Sequence, residues 1–196
     1  AWSNGEATED LEDLPAGTYS VVVTDENGCF VTIEVIITSP EGMEISETHS
    51  DYTGYGVSCN GDTDGWIDVT VTGGTGTYTY LWENGAFDGA TTEDITNVPS
   101  GVYTVTATDE NGCSVSIEVT ITSPEGLEIS ETHSDYTGYG VSCNGDTDGW
   151  IDVTVTGGTE VYTYLWNDGA TSEDRSDLGA GTYSVVATDE NGCSVS

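Results

Sequence analysis

Residues 41–74, EGMEISETHSDYTGYGVSCNGDTDGWIDVTVTGG, recur at 125–158 with one change, Met43 to Leu127. A repeat this close constrains the fold before composition is considered, because every copy has to be the same small supersecondary unit. Cys59 to Cys143, Pro40 to Pro124 and Trp82 to Trp166 are each 84 positions, whereas Trp2 to Trp82 is 80. The difference sits in one segment: WENGAFDGATTED at 82–94 is longer than WSNGEATED at 2–10 or WNDGATSED at 166–174. Length variation confined to one segment marks an exposed loop. The Ser-Pro pairs at 39–40 and 123–124 end extended runs and set the register. Residues 1–40 then read as the C-terminal part of a repeat, 41–124 as a complete repeat, and 125–196 as a repeat lacking its last strand, the counterpart of Ile117–Thr122. On this register the chain is either a window on a longer chain or a subunit whose open repeat takes a strand from the next copy.

Alternation of apolar and polar residues identifies strands. In Trp66–Thr72 the inward set is Ile67, Val69 and Val71, which leaves Trp66, Asp68, Thr70 and Thr72 outward. Tyr78, Tyr80 and Trp82 share a face, as do Tyr103, Val105 and Ala107, and Val115, Ile117, Val119 and Ile121. Gly73-Gly74, Asn84-Gly85, Pro99-Ser100-Gly101 and Asn111-Gly112 supply turns. No segment has a helical period. The expectation is an all-β chain of tandem immunoglobulin-like β-sandwich repeats of about 80–84 residues, with Trp82 and Tyr103 as core packing residues.

Charge narrows the function. There are 36 Asp+Glu against one Lys+Arg, the cation being Arg175, and the formal net charge is −35. Such a chain cannot replace phosphate counterions, so nucleic-acid binding is excluded, and so is a polybasic membrane contact. No apolar run is long enough to insert into a membrane. Acidity of this degree in a chain that still clusters its apolar residues implies a solvated acidic surface, and it calls for cations or high salt.

The cysteines follow the repeat. Each full repeat has one before the Trp66-type strand and one after the Asn-Gly turn, so the spacing suggests Cys59 with Cys113 and Cys143 with Cys193, leaving Cys29 for an upstream partner. Loops of 54 and 50 positions are worth about 4 kcal/mol each in chain entropy. A four-cysteine metal site lacks any C-x-x-C spacing. Disulfides at this density place the protein in an oxidising, extracellular setting.

At these residues the chain resembles the SprB repeat of Bacteroidota surface adhesins. The resemblance rests on SCNGDTDGWIDVTVTGGTGTYTYLW at 58–82, the NGA-TTED loop, SGVYTVTATDENGC at 100–113 and VTITSP at 119–124. It implies a large secreted cell-surface protein of tandem immunoglobulin-like modules, exported by the type IX system and associated with adhesion and gliding motility. Trp66 and Trp150 depart from the family, where that position is usually small and polar.

Two groups of residues are candidates for binding. Asn60-Gly61-Asp62-Thr63-Asp64-Gly65, repeated at 144–149, fits the front half of a calcium loop, with oxygen ligands at alternate positions. The candidate ligands are Asn60, Asp62, Asp64, Asp68 and Asp109, with Asn144, Asp146, Asp148, Asp152 and Asp189 in the next repeat; the usual twelfth-position Glu is replaced by Val71. The same residues are also ordinary turn formers. The second group is aromatic: outward Trp66 and Trp150 with the loop bearing Tyr52 and Tyr55, suited to stacking on a surface glycan or docking a neighbouring module. No N-x-[ST] sequon occurs, and outward threonines leave O-glycosylation open. His49 and His133 lie in THSD stretches whose adjacent residues cannot form a Ser-His-Asp triad, and no enzymatic function is expected. The expectation is an extracellular fibre or adhesin stalk that contacts neighbouring repeats or copies of itself; the alternative is a carbohydrate-binding array.

Overall fold

The computed structural model describes residues 1–83 and 87–196. It is all-β, built from small antiparallel sheets. A hairpin comes first, β1 (Gly17–Thr24) pairing with β2 (Phe30–Ile37) from Gly17↔Ile37 to Thr24↔Phe30. A central sandwich follows. One of its sheets runs β3 (Glu44–His49), β4 (Gly65–Thr72), β6 (Ile95–Val98); the other runs β5 (Thr79–Glu83), β7 (Gly101–Thr108), β8 (Ser114–Ile121). A C-terminal sandwich repeats this plan, with β9 (Glu128–His133), β10 (Gly149–Thr156) and β12 (Arg175–Leu178) facing β11 (Thr163–Trp166), β13 (Val185–Thr188) and β14 (Ser194–Val195). The expected turn at Asn84-Gly85 lies outside the described residues.

Strand parity is that of the sequence. Along β4, Ile67 and Val69 are buried while Trp66, Asp68, Thr70 and Thr72 are exposed. The two inner faces meet in a core of Ile67, Val69, Trp82, Ile95, Val98, Tyr103, Val105, Val119 and Ile121. Trp82 is fully buried, and its indole N–H donates to the Thr92 carbonyl at 2.8 Å. Trp166 does the same with Ser172, and Trp2 with Thr8. Truncating a buried tryptophan of this kind costs about 3–5 kcal/mol. Tyr103 is buried too, with its hydroxyl on the Pro99 carbonyl four residues back; Tyr19 and Tyr183 bond Pro15 and Gly179 in the same way. This is the tyrosine corner of immunoglobulin-like sandwiches.

Two strands escape the alternation argument. β3 has only Ile45 as an apolar member, and its place comes from pairing along β4, Glu44↔Thr72 to His49↔Ile67. β6 has four residues, one of them Asn97 at φ 59°. Neither offers a period long enough to detect.

The expected pairings of Cys59 with Cys113 and of Cys143 with Cys193 are not formed. The structure joins Cys59 to Cys193, 134 positions away, with Cα atoms 5.7 Å apart, and leaves Cys29, Cys113 and Cys143 as exposed free thiols. The reason is strand direction. Cys113 lies at the turn where β8 begins, whereas the Cys59 loop sits where β8 finishes, since Gly56 and Val57 N–H groups both reach the Thr122 carbonyl. An eight-residue strand is about 25 Å long, and disulfide Cα atoms must lie within about 7 Å. The contact at this end is close: a Cβ on Gly56 would stand 2.7 Å from Ile121 Cγ2.

Candidate functional site

The residues that gather most closely lie at the end of the central sandwich where the C-terminal one begins. The loop from Ser50 to Asp64 is tied to the start of β4: the Ser50 hydroxyl donates to the Gly56 carbonyl and accepts from Trp66 N–H, and Tyr52 donates to the Asp64 carbonyl. Tyr52 and Tyr55 exchange backbone hydrogen bonds across Thr53-Gly54. Thr53 has φ 51°, a conformation that β-branched residues rarely adopt. Asn60 Nδ2 donates to the Pro124 carbonyl at 2.9 Å, which anchors the segment leading into β9.

Into this loop comes the turn between β13 and β14. Asp189 shapes it by accepting from Asn191 N–H at 3.1 Å and Cys193 N–H at 2.9 Å. The Asn191 side chain then crosses the junction. Its Nδ2 donates to the carbonyls of Tyr52 at 3.2 Å and Ser58 at 3.1 Å, and its Oδ1 lies 3.0 Å from the Thr53 hydroxyl. One amide bridges two loop carbonyls, and the Cys59–Cys193 bond closes the junction covalently beside it. In the sequence the equivalent Asn111-Gly112 reads as a turn, and Asn191 is not singled out. The Asp-Glu-Asn-Gly-Cys string shared by 25–29, 109–113 and 189–193 is the signal that marked it.

The candidate calcium ligands are placed as turn residues. Asp64 accepts from Ser58 N–H and Asp62 from the Ser58 hydroxyl; Asp148 and Asp146 do the same with Ser142. Burial pushes the Asp64 carboxyl up, but the hydrogen bonds from Ser58 and Tyr52 outweigh it and hold it below the usual range. Asp109 is buried against the β7–β8 turn, where desolvation is likewise outweighed by donors from Cys113, Thr75 and Asn111. Asn60 faces Pro124, while Asp68 and Asp152 sit in strands opposite Thr48 and Thr132. Among the described residues, no three His, Cys, Asp or Glu side chains come together to hold a metal ion. This arrangement fits a hydrogen-bonded turn better than a chelate.

The aromatic candidates divide. Trp66 and Trp150 point outward and are 38% and 42% exposed. Tyr52 and Tyr55 are half-buried under the C-terminal turn, whereas their counterparts Tyr136 and Tyr139 are 38% and 73% exposed. Ser50 is committed to its loop, and His49 Nδ1 lies 2.9 Å from Glu47. Arg175 forms a bidentate pair with Asp168 at 3.0 and 2.7 Å and stacks 5.3 Å from the centroid of Trp166.

Repeated immunoglobulin-like sandwiches, joined end to end by an amide clasp and a disulfide, define a modular β-repeat protein. The family model of the SprB repeat matches the chain twice, over residues 57–87 and 141–171, so the chain carries SprB repeats. Both matches begin inside the junction loop and run through β4 or β10 into the tryptophan strand. The SprB repeat is an adhesin-type module of cell-surface proteins. No curated protein matches the chain. Among the described residues no helix is long and apolar enough to cross a membrane.

Proposed function

We propose that this chain is part of an extracellular stalk, in which disulfide-joined SprB repeats hold an adhesive surface away from the cell. The observation that carries this reading is the Cys59–Cys193 bond, which links one sandwich to the next and resists their separation under tension. Joining rigid modules end to end extends reach, and repetition multiplies weak contacts. The −35 charge keeps strand edges of neighbouring molecules apart. Cations, calcium included, screen this charge. Export by the type IX system, a part in gliding motility and O-glycans on the outward threonines belong to the same reading, and a stalk performs no catalysis.

Immunogold labelling of intact source cells, with antibody raised against the chain, tests the proposal. Label on filaments projecting from unbroken cells is expected. Label seen only after lysis would refute it.

The outward Trp66 and Trp150 favour a second reading, a carbohydrate-binding array. Glycan-array binding lost on replacing both with Ala, in a chain that keeps its circular dichroism, would support it. An oxidised, folded chain that binds no glycan removes it.

A further inference from the structure

We infer that Asn60 and Asn191 are deamidation sites, at which the junction between the two sandwiches ages from a rigid joint into a tethered hinge. The inference concerns the junction itself and stands apart from the stalk reading. Two side-chain amides cross this junction. Asn60 Nδ2 donates to the Pro124 carbonyl at 2.9 Å, where the chain leaves the central sandwich. Asn191 Nδ2 donates to the Tyr52 and Ser58 carbonyls at 3.2 and 3.1 Å. Glycine follows each, Gly61 in one case and Gly192 in the other. Without a side chain, glycine leaves its peptide nitrogen unshielded. A Cβ at either position would meet nothing within 4 Å beyond its chain neighbours, so both peptides are also open to water.

The step needs water and no other reactant. The glycine nitrogen gives its proton to solvent and attacks the asparagine Cγ, forming a C–N bond. The Cγ–Nδ2 bond breaks, and the leaving nitrogen takes up a proton and departs as ammonia. Water then opens the five-membered imide at either carbonyl, giving aspartate or isoaspartate. The product carries a carboxylate, which accepts hydrogen bonds and donates none. At position 60 it faces the Pro124 carbonyl, and at 191 the carbonyls of Tyr52 and Ser58. An attractive contact becomes a repulsive one, in a chain whose net charge is already −35. Cys59–Cys193 still ties the two sandwiches, so they swing without parting.

Local structure sets the order of the two reactions. Asn60 and Gly61 are exposed, and the Gly61 N–H meets no acceptor among the described residues. Asn191 is half-buried, its Oδ1 lies 3.0 Å from the Thr53 hydroxyl, and the Gly192 N–H donates to the Asp189 carbonyl at 3.1 Å. A nitrogen and an amide held this way must first break their bonds. Asn60 therefore converts first, and Asn191 follows more slowly.

The test ages the full oxidised chain in warm, mildly alkaline buffer, beside a sample unfolded in urea. A glutamate-specific protease and mass spectrometry then follow each asparagine, and hydrogen exchange reads the junction over residues 51–58 and 122–128. In the unfolded chain Asn60 and Asn191 should convert at similar rates. In the folded chain Asn60 should lead Asn191 several-fold, and exchange at the junction should rise several-fold as conversion proceeds, with the circular dichroism of both sandwiches kept. Fresh Asn60→Asp and Asn191→Asp chains should show the raised exchange without ageing. The inference is overturned if both asparagines persist in the folded chain while the unfolded chain converts. It is equally overturned if Asn191 converts ahead of Asn60, or if the aged chain and the aspartate variants exchange like fresh protein. None of these outcomes changes where antibody labels the cell, so this inference and the stalk reading fail separately.

Discussion

Stretching a single chain between its termini tests the inter-repeat disulfide most directly. Cys59 and Cys193 are 134 positions apart, and a stretched residue contributes about 3.5 Å, so the oxidised chain should withhold about 470 Å of contour length. Reduction with a phosphine should release that length in full. Pairing within repeats would instead close loops of 54 and 50 positions and withhold about 360 Å in two parts. The two arrangements therefore differ by about 110 Å, well within the resolution of optical tweezers. The same bond removes loop entropy from the unfolded chain worth about 5 kcal/mol, so the oxidised form should also need more denaturant to unfold. A withheld length near the smaller value, or an extension unchanged by reduction, would refute the assignment and with it the mechanical role of the junction.

Three further outcomes are expected. Asn191→Ala removes the amide bonds to the Tyr52 and Ser58 carbonyls and should cost about 1–3 kcal/mol in denaturant unfolding of the reduced chain, where no disulfide masks the loss; no change in midpoint would make the clasp ornamental. Asp64, Asp109, Asp148 and Asp168 all sit below the usual carboxylate range, Asp148 chiefly through hydrogen bonding with Ser142 and Asp168 through Arg175, while at Asp64 and Asp109 hydrogen bonds overcome burial. Because their folded values are depressed, their stabilisation is complete above the unfolded value near 3.9 and is lost as pH falls through the folded values, whereas protonating the other acids relieves repulsion. Thermal midpoints should rise from pH 7 to about 4.5 and fall below about 3.5, and a rise continuing to pH 2 would contradict the hydrogen-bonded carboxylates. Calcium titrated calorimetrically should give no saturable isotherm in the roughly 10⁻⁴–10⁻³ M range of extracellular modules; stoichiometric binding there would restore Asn60, Asp62 and Asp64 as ligands.

Much of the architecture was legible in the sequence because it rests on local periodicity. Ile67 and Val69 face inward and Trp66 outward because a strand alternates with period two, and that parity needs no knowledge of what covers each face. The buried Trp82 and Tyr103 were legible for the same reason. β3 and β6 were not, since EISETH and ITNV become strands only by lying along β4. The acidic loop was legible as a turn with oxygen-bearing side chains. Its use of those oxygens on Ser58 depends on how the loop folds back, which spacing does not encode.

By itself, the sequence determined the repeat, the all-β character, the inward and outward faces and the positions of the cysteines. Only the tertiary structure decided which cysteines meet. In a periodic chain, pairing a front cysteine with the back cysteine of its own repeat or of the next yields the same spacing pattern. What separates the two is the length of β8, which carries Cys113 to the far end of its sandwich, together with the end-to-end approach that brings the β13–β14 turn against Cys59. Local preference sets the strands, and strand direction in space sets the disulfide.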